Sequence, residues 1–167
     1  MTVAMSAFGQ AYSAILHELV ESLLNTLRDI PDDVLNTWKP AAAGAGGHEM
    51  NTFAAIAVHM VSAGEFMTLH AVGGQSMDRD REAEFLATAS FATIEERFTR
   101  WLTAVDALVL DMTDDDLGGE PRTDRYQDRL WRNGAVLLHA VDHTALHLGH
   151  VQVQRQLWEY ETSHQPT

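Results

Sequence analysis

The chain contains no cysteine. This one absence removes disulfides, cysteine-bound zinc and any thiol nucleophile of the protein's own. Thiol chemistry here must arrive with a small-molecule thiol, and histidine is the soft ligand that remains. Basic residues are also scarce: 11 Lys and Arg against 24 Asp and Glu give a formal charge of −13, with no basic cluster. Nucleic acid and anionic membrane surfaces would meet net repulsion, so neither is expected as a partner. Long apolar runs are missing as well. No segment approaches about 18 uninterrupted apolar residues, and "MTVAMSAFGQ" lacks the basic start and apolar core of a signal peptide. A cytoplasmic location is the expectation. At 167 residues the chain is long enough to bury a sizeable core, and one domain over 1–167 is expected.

Period-two alternation and internal repeats are absent, whereas helical periodicity is plain. Phe8, Tyr12, Ile15, Leu16, Leu19, Leu23 and Leu27 predict a first helix over about 5–27, ended by "RDIPDD". After the loop "WKPAAAGAGGHEMN", Asn51 or Thr52 caps a second helix, "TFAAIAVHMVSAGEFMTLHAV", which stops at Gly73 and Gly74. A third begins near Ser90 and runs to about Met112, and a fourth runs from near Asn133 to about Tyr160. The pattern predicts an all-α four-helix bundle. Its connections exceed the roughly two to eight residues usual between helices, and so serve as a lid or route the chain across the bundle. The runs "DMTDDDL" and "DRDRE" read as solvated loops.

Four of the nine histidines fall in one segment, "HAVDHTALHLGHVQVQRQLW". At about 100° per residue, with His143 as zero, His139 lies near −40°, His147 near +40° and His150 near −20°. Val136, Ala140, Leu146 and Leu157 share that face, so it is expected to point into the protein. Histidines three or four apart can grip one ion, which leaves His139/His143, His143/His147 and His147/His150 as equivalent pairs. A third ligand must come from another helix. His59 is centred on the stripe of Ile56, Ala63 and Phe66. Such a three-histidine set leaves positions open for water or substrate. Packing or hydrogen-bonded core histidines are the competing reading. Haem between two facing histidines is another, but it leaves the third unexplained. His70 lies about 16 Å from His59 along the axis and cannot share a centre with it. His17 reads as surface, while His48 and His164 have no partner in the pattern. There is no G-x-S-x-G, P-loop or G-x-G-x-x-G, and no paired Glu-x-x-His for a di-iron site. Glu65 and Asp106 are the buriable acids that could back a ligand histidine. Leu138, Val141, Ala145 and Gly149, opposite the histidines, imply a second packed surface.

Four elements go further: "WKP" before the second helix, "NTFAAIAVHM" around His59, "VGGQSMDRDREAEF" after that helix, and "HTALHLGHVQVQRQLW" in the last one. In these the chain resembles the DinB-like superfamily of bacterial four-helix-bundle metalloenzymes over nearly its whole length. The family pattern in the last element is His or Glu, three residues, His, any residue, Gly, then Gln or His. The resemblance implies His143 and His147 as ligands, with His59 as the third. It leaves His139 outside the set and puts His150 at the Gln/His position. It also implies one divalent ion, Zn or Ni or another first-row metal. Members with assigned activity look like thiol S-transferases using bacillithiol or mycothiol, together with a mycothiol-dependent maleylpyruvate isomerase. The implied function is a metal-dependent enzyme joining a low-molecular-weight thiol cosubstrate to a small-molecule substrate, or carrying out a related metal-assisted hydrolysis. The alternative is a stress-associated metal-binding protein without turnover. Relatives often look dimeric, so a homodimer is expected.

Overall fold

Ser6 starts the first helix by accepting a hydrogen bond from the Gly9 amide at 3.0 Å. The computed structural model describes residues 6–40 and 51–164, and in it α1 spans Ala7–Leu27. Tyr12, Leu16, Val20, Leu23 and Leu27 recur every three to four residues and are all buried. Pro31 then opens the short α2, Asp32–Thr37. "GAGG" and His48 lie outside the described residues.

Thr52 caps α3, Phe53–Glu65, by accepting from the Ala55 amide at 3.2 Å. Apolar residues surround this helix, so it is buried on nearly every side. By length and composition Phe53–Val72 could cross a bilayer, yet 72% of its most apolar window is buried inside the protein. From Phe66 to Val72 the helix continues with π winding. The Thr68 hydroxyl donates to the Gly64 carbonyl at 2.7 Å and accepts from the Trp101 indole at 3.0 Å. Gly74, at φ +73, turns the chain out of the helix.

Ser90 caps α5, Phe91–Val109, whose Ile94, Phe98, Trp101, Val105 and Val109 face inward. The 31-residue α7, Asn133–Ser163, packs against α1 on one side and against α3 with its π extension on the other. α5 meets α1 and α3, so four long helices share one core, and no strand occurs among the described residues. The connections hold more structure than expected. They contain the single-turn α4, Arg81–Glu84, then α6, Asp114–Gly118, and a 3-10 turn over Asp124–Arg129.

The histidine face of α7 does not point straight into the core as expected. Its buried side chains, among them Leu137, Ala140, Thr144, Leu148 and Val151, centre roughly 80° around the helix from His143. Leu146 and Leu157 are 56% and 40% exposed. The histidines thus occupy the edge of the buried face, where a helix can border a cavity. On the opposite side Val141 packs against the core, while Leu138 and Ala145 are open.

One close approach gives a test of the packing. A Cβ on Gly64 would overlap the buried Trp101 indole, which is also hydrogen-bonded and cannot swing aside freely. Gly64→Ala is expected to cost about 3 kcal/mol, a fall in Tm of roughly 6–12 °C by thermal denaturation. Nothing lies within 4 Å of a Cβ at Gly149. Gly149→Ala on α7 should therefore raise stability slightly, by about 0.5–1 kcal/mol.

Candidate metal centre

α3 presents His59 and α7 presents His143 and His147, one turn apart on the edge of its buried face. One ring nitrogen from each lies within 4.8 Å of the others. The ring centroids are 5.1 Å apart for His59 and His143, 5.0 Å for His59 and His147, and 4.5 Å for His143 and His147. Of the three pairs equivalent by spacing alone, the structure brings His143/His147 together with His59. His139 and His150 also border the cavity but lie one step out, at 6.3 Å from His143 and 5.3 Å from His147.

His59 is oriented from behind. Its Nδ1 lies 2.8 Å from Glu84 Oε2, and Arg79 donates to the same carboxylate through Nε at 2.6 Å and Nη2 at 2.8 Å. The carboxylate oxygens accept, so Nδ1 of His59 is the donor and Nε2 carries the lone pair. All three side chains are buried, at 7% exposure for His59, 6% for Glu84 and 9% for Arg79. Phe85 stacks on the His59 ring at 4.6 Å and fixes its plane. The single turn α4 delivers Glu84, and Asp80 caps that turn by accepting from the Ala83 amide at 3.0 Å.

The sequence reading missed this clasp. It treated "DRDRE" as solvated, whereas Arg79 is buried. The available signal was Asp80 as a cap before "EF", an acid beside a large apolar residue within a charged stretch. The acids expected behind the site are engaged elsewhere. Glu65 pairs with Arg97 at 2.6 Å, and Asp106 accepts from Ser13 at 2.6 Å and lies 2.9 Å from His17 Nε2. His17 is therefore a surface bridge from α1 to α5. His70 Nδ1 donates to the Gln75 carbonyl at 2.7 Å and His164 Nδ1 to the Tyr160 carbonyl at 2.9 Å.

Electrostatics favour neutral rings. Burial pushes the His143 pKa down to about 3, reinforced by His147 and His59. It pushes His147 down to about 4, with His59 and His150 adding to the effect. Burial lowers His59 too, although the Glu84 carboxylate opposes it. Nδ1 of His143 and Nδ1 of His147 are buried without a hydrogen-bond partner. Core histidines satisfy their nitrogens, so these two unpartnered ring nitrogens set the cluster apart from a packing arrangement. Three neutral imidazoles around one point form a donor set that can hold a divalent ion. They border a cavity of about 560 Å³, within the usual range for small-molecule sites.

No curated protein and no solved structure gives a significant match to the chain. The family model of the DinB superfamily does match, over residues 15–151. That span includes all three clustered histidines and the Glu84 clasp, and the chain belongs to the DinB superfamily.

Proposed function

We propose that the chain is a divalent-metal-dependent enzyme in which His59, His143 and His147 hold one Zn or Ni ion and a low-molecular-weight thiol is joined to a small electrophile. The observation that carries this reading is the convergence of three neutral, partly unsatisfied imidazoles on the wall of a ligand-sized cavity. When bound, the ion supplies Lewis-acid charge that lowers the proton affinity of a thiol or water. The chain's own residues set the conditions. Glu84 fixes the tautomer of His59, Phe85 fixes its plane, and burial keeps His143 and His147 unprotonated. Ile56 and Met67 give the cavity an apolar wall beside the histidines. With no cysteine in the chain, the thiol is a cosubstrate.

The test is elemental analysis of tag-free protein purified without chelator, followed by thiol-conjugation assays with an electrophile such as 1-chloro-2,4-dinitrobenzene. The expected result is about one Zn or Ni per chain and turnover that disappears on metal removal and returns on reloading. Absence of bound metal after incubation with either ion overturns the proposal. Stoichiometric metal without turnover, with any thiol tried, overturns its catalytic part.

A further inference from the structure

The charge around the cavity runs against the charge of the chain. The sequence carries 24 acidic residues and only 11 basic ones, yet Arg79, Arg81 and Arg125 line this cavity. Among the described residues, no aspartate or glutamate lines it. Arg79 is neutralised by Glu84. Arg81 has only a loose 3.8 Å contact with its exposed neighbour Glu82. Arg125 has no acidic partner among the described residues.

Both of these cations are held by aromatic faces. The Arg81 guanidinium sits 5.1 Å from the centroid of Phe85, the ring that stacks on His59. Arg125 sits 5.4 Å from the centroid of Phe66, at the start of the π segment. A guanidinium lying over a ring keeps its plane while its N–H edges stay available to a ligand.

We propose that the cavity takes a small organic anion, with a carboxylate held by Arg81 and Arg125 while the remainder of the molecule extends along the apolar wall toward His59, His143 and His147. The inference rests on the function proposed above for the direction of binding, but the anion preference comes from the arginines alone. Three neutral imidazoles leave the full charge of a divalent ion uncompensated. An anionic ligand answers both that charge and the two arginines, whereas a cation would meet no acid on the wall.

Isothermal titration of 3-mercaptopropionate and its uncharged amide, on metal-free and Zn-loaded protein, tests this. The carboxylate is expected to bind about tenfold more tightly than the amide in both forms, and Arg81→Gln and Arg125→Gln should each reduce that ratio about threefold. Both positions are exposed, so the variants should fold, and unchanged circular dichroism checks this. Equal binding of acid and amide overturns the inference, as does a preference that survives both substitutions. If Zn fails to bind but the preference persists in metal-free protein and is lost in the variants, the metal proposal falls and this one stands. If Zn binds with no arginine-dependent preference, the reverse holds.

Discussion

His147→Ala is expected to lower metal affinity by roughly a hundredfold to a thousandfold, the share of one ligand in a histidine site. Equilibrium dialysis against Zn, or competition with a chromogenic chelator, measures it. The metal-free variant should melt close to the metal-free parent, because Nδ1 of His147 has no hydrogen bond to lose. A ligand role therefore predicts a large change in metal-induced stabilisation and a small change without metal. A packing role predicts the opposite pattern, and that result would reject His147 as a ligand. Proton competition provides a second measure. An imidazole ligates metal only when neutral, and burial pushes His143 down to about 3 and His147 down to about 4. Metal should consequently stay bound at pH 5.5, where an exposed histidine cluster would release it. Because these folded-state pKa values are depressed, the unfolded chain binds more protons below pH 6.5. Metal-free stability is thus highest above pH 6.5 and declines as the pH falls toward 4.

Glu84→Gln carries the second large effect, and it falls on two properties at once. Loss of the carboxylate behind His59 should weaken metal binding about 10–100-fold, as is usual for the group that orients a ligand histidine. It also leaves Arg79 buried without its counter-charge, a penalty of about 3–5 kcal/mol, or roughly 6–20 °C in Tm. The double variant Arg79→Met, Glu84→Gln separates the two. Stability should largely return because no unpaired charge remains, while metal affinity should stay low. Should the double variant recover both, Glu84 acts on the site only through folding. Should Glu84→Gln bind Zn as the parent does, the carboxylate does not orient His59.

The long helices were legible because their apolar residues recur at helical spacing and because Thr52 and Ser90 mark helix starts, whereas the cap at Ser6 was passed over. His59 could be picked out for the same reason, being a polar residue centred on an apolar stripe. The equivalence among the histidine pairs of α7 was not resolvable by spacing, since each pair fits the helix equally well. The choice depends on which edge of α7 faces α3, a tertiary property. Glu84 was hidden for a related reason. Its burial follows from a single turn that Arg79 and His59 hold in place across 25 residues, with no periodicity for a local reading to detect. His70 illustrates another limit. Counting 100° per residue puts it on the His59 face, but that count fails after Glu65, where the winding widens.

That change of winding has its own consequence. In a uniform α-helix, side-chain direction depends only on how many residues separate two positions. Here the π segment Phe66–Val72 acts as a phase shifter. It sets the angular relation between His59 upstream and the exit at Gly74 downstream. Removing one residue from it and returning to α winding would leave the chain before and after nearly in phase, because the wider turn takes up about one extra residue. The extra residue is absorbed inside the segment, so the direction of the side chains within it, Met67 on the cavity wall among them, is set by the winding as well as by the residue count.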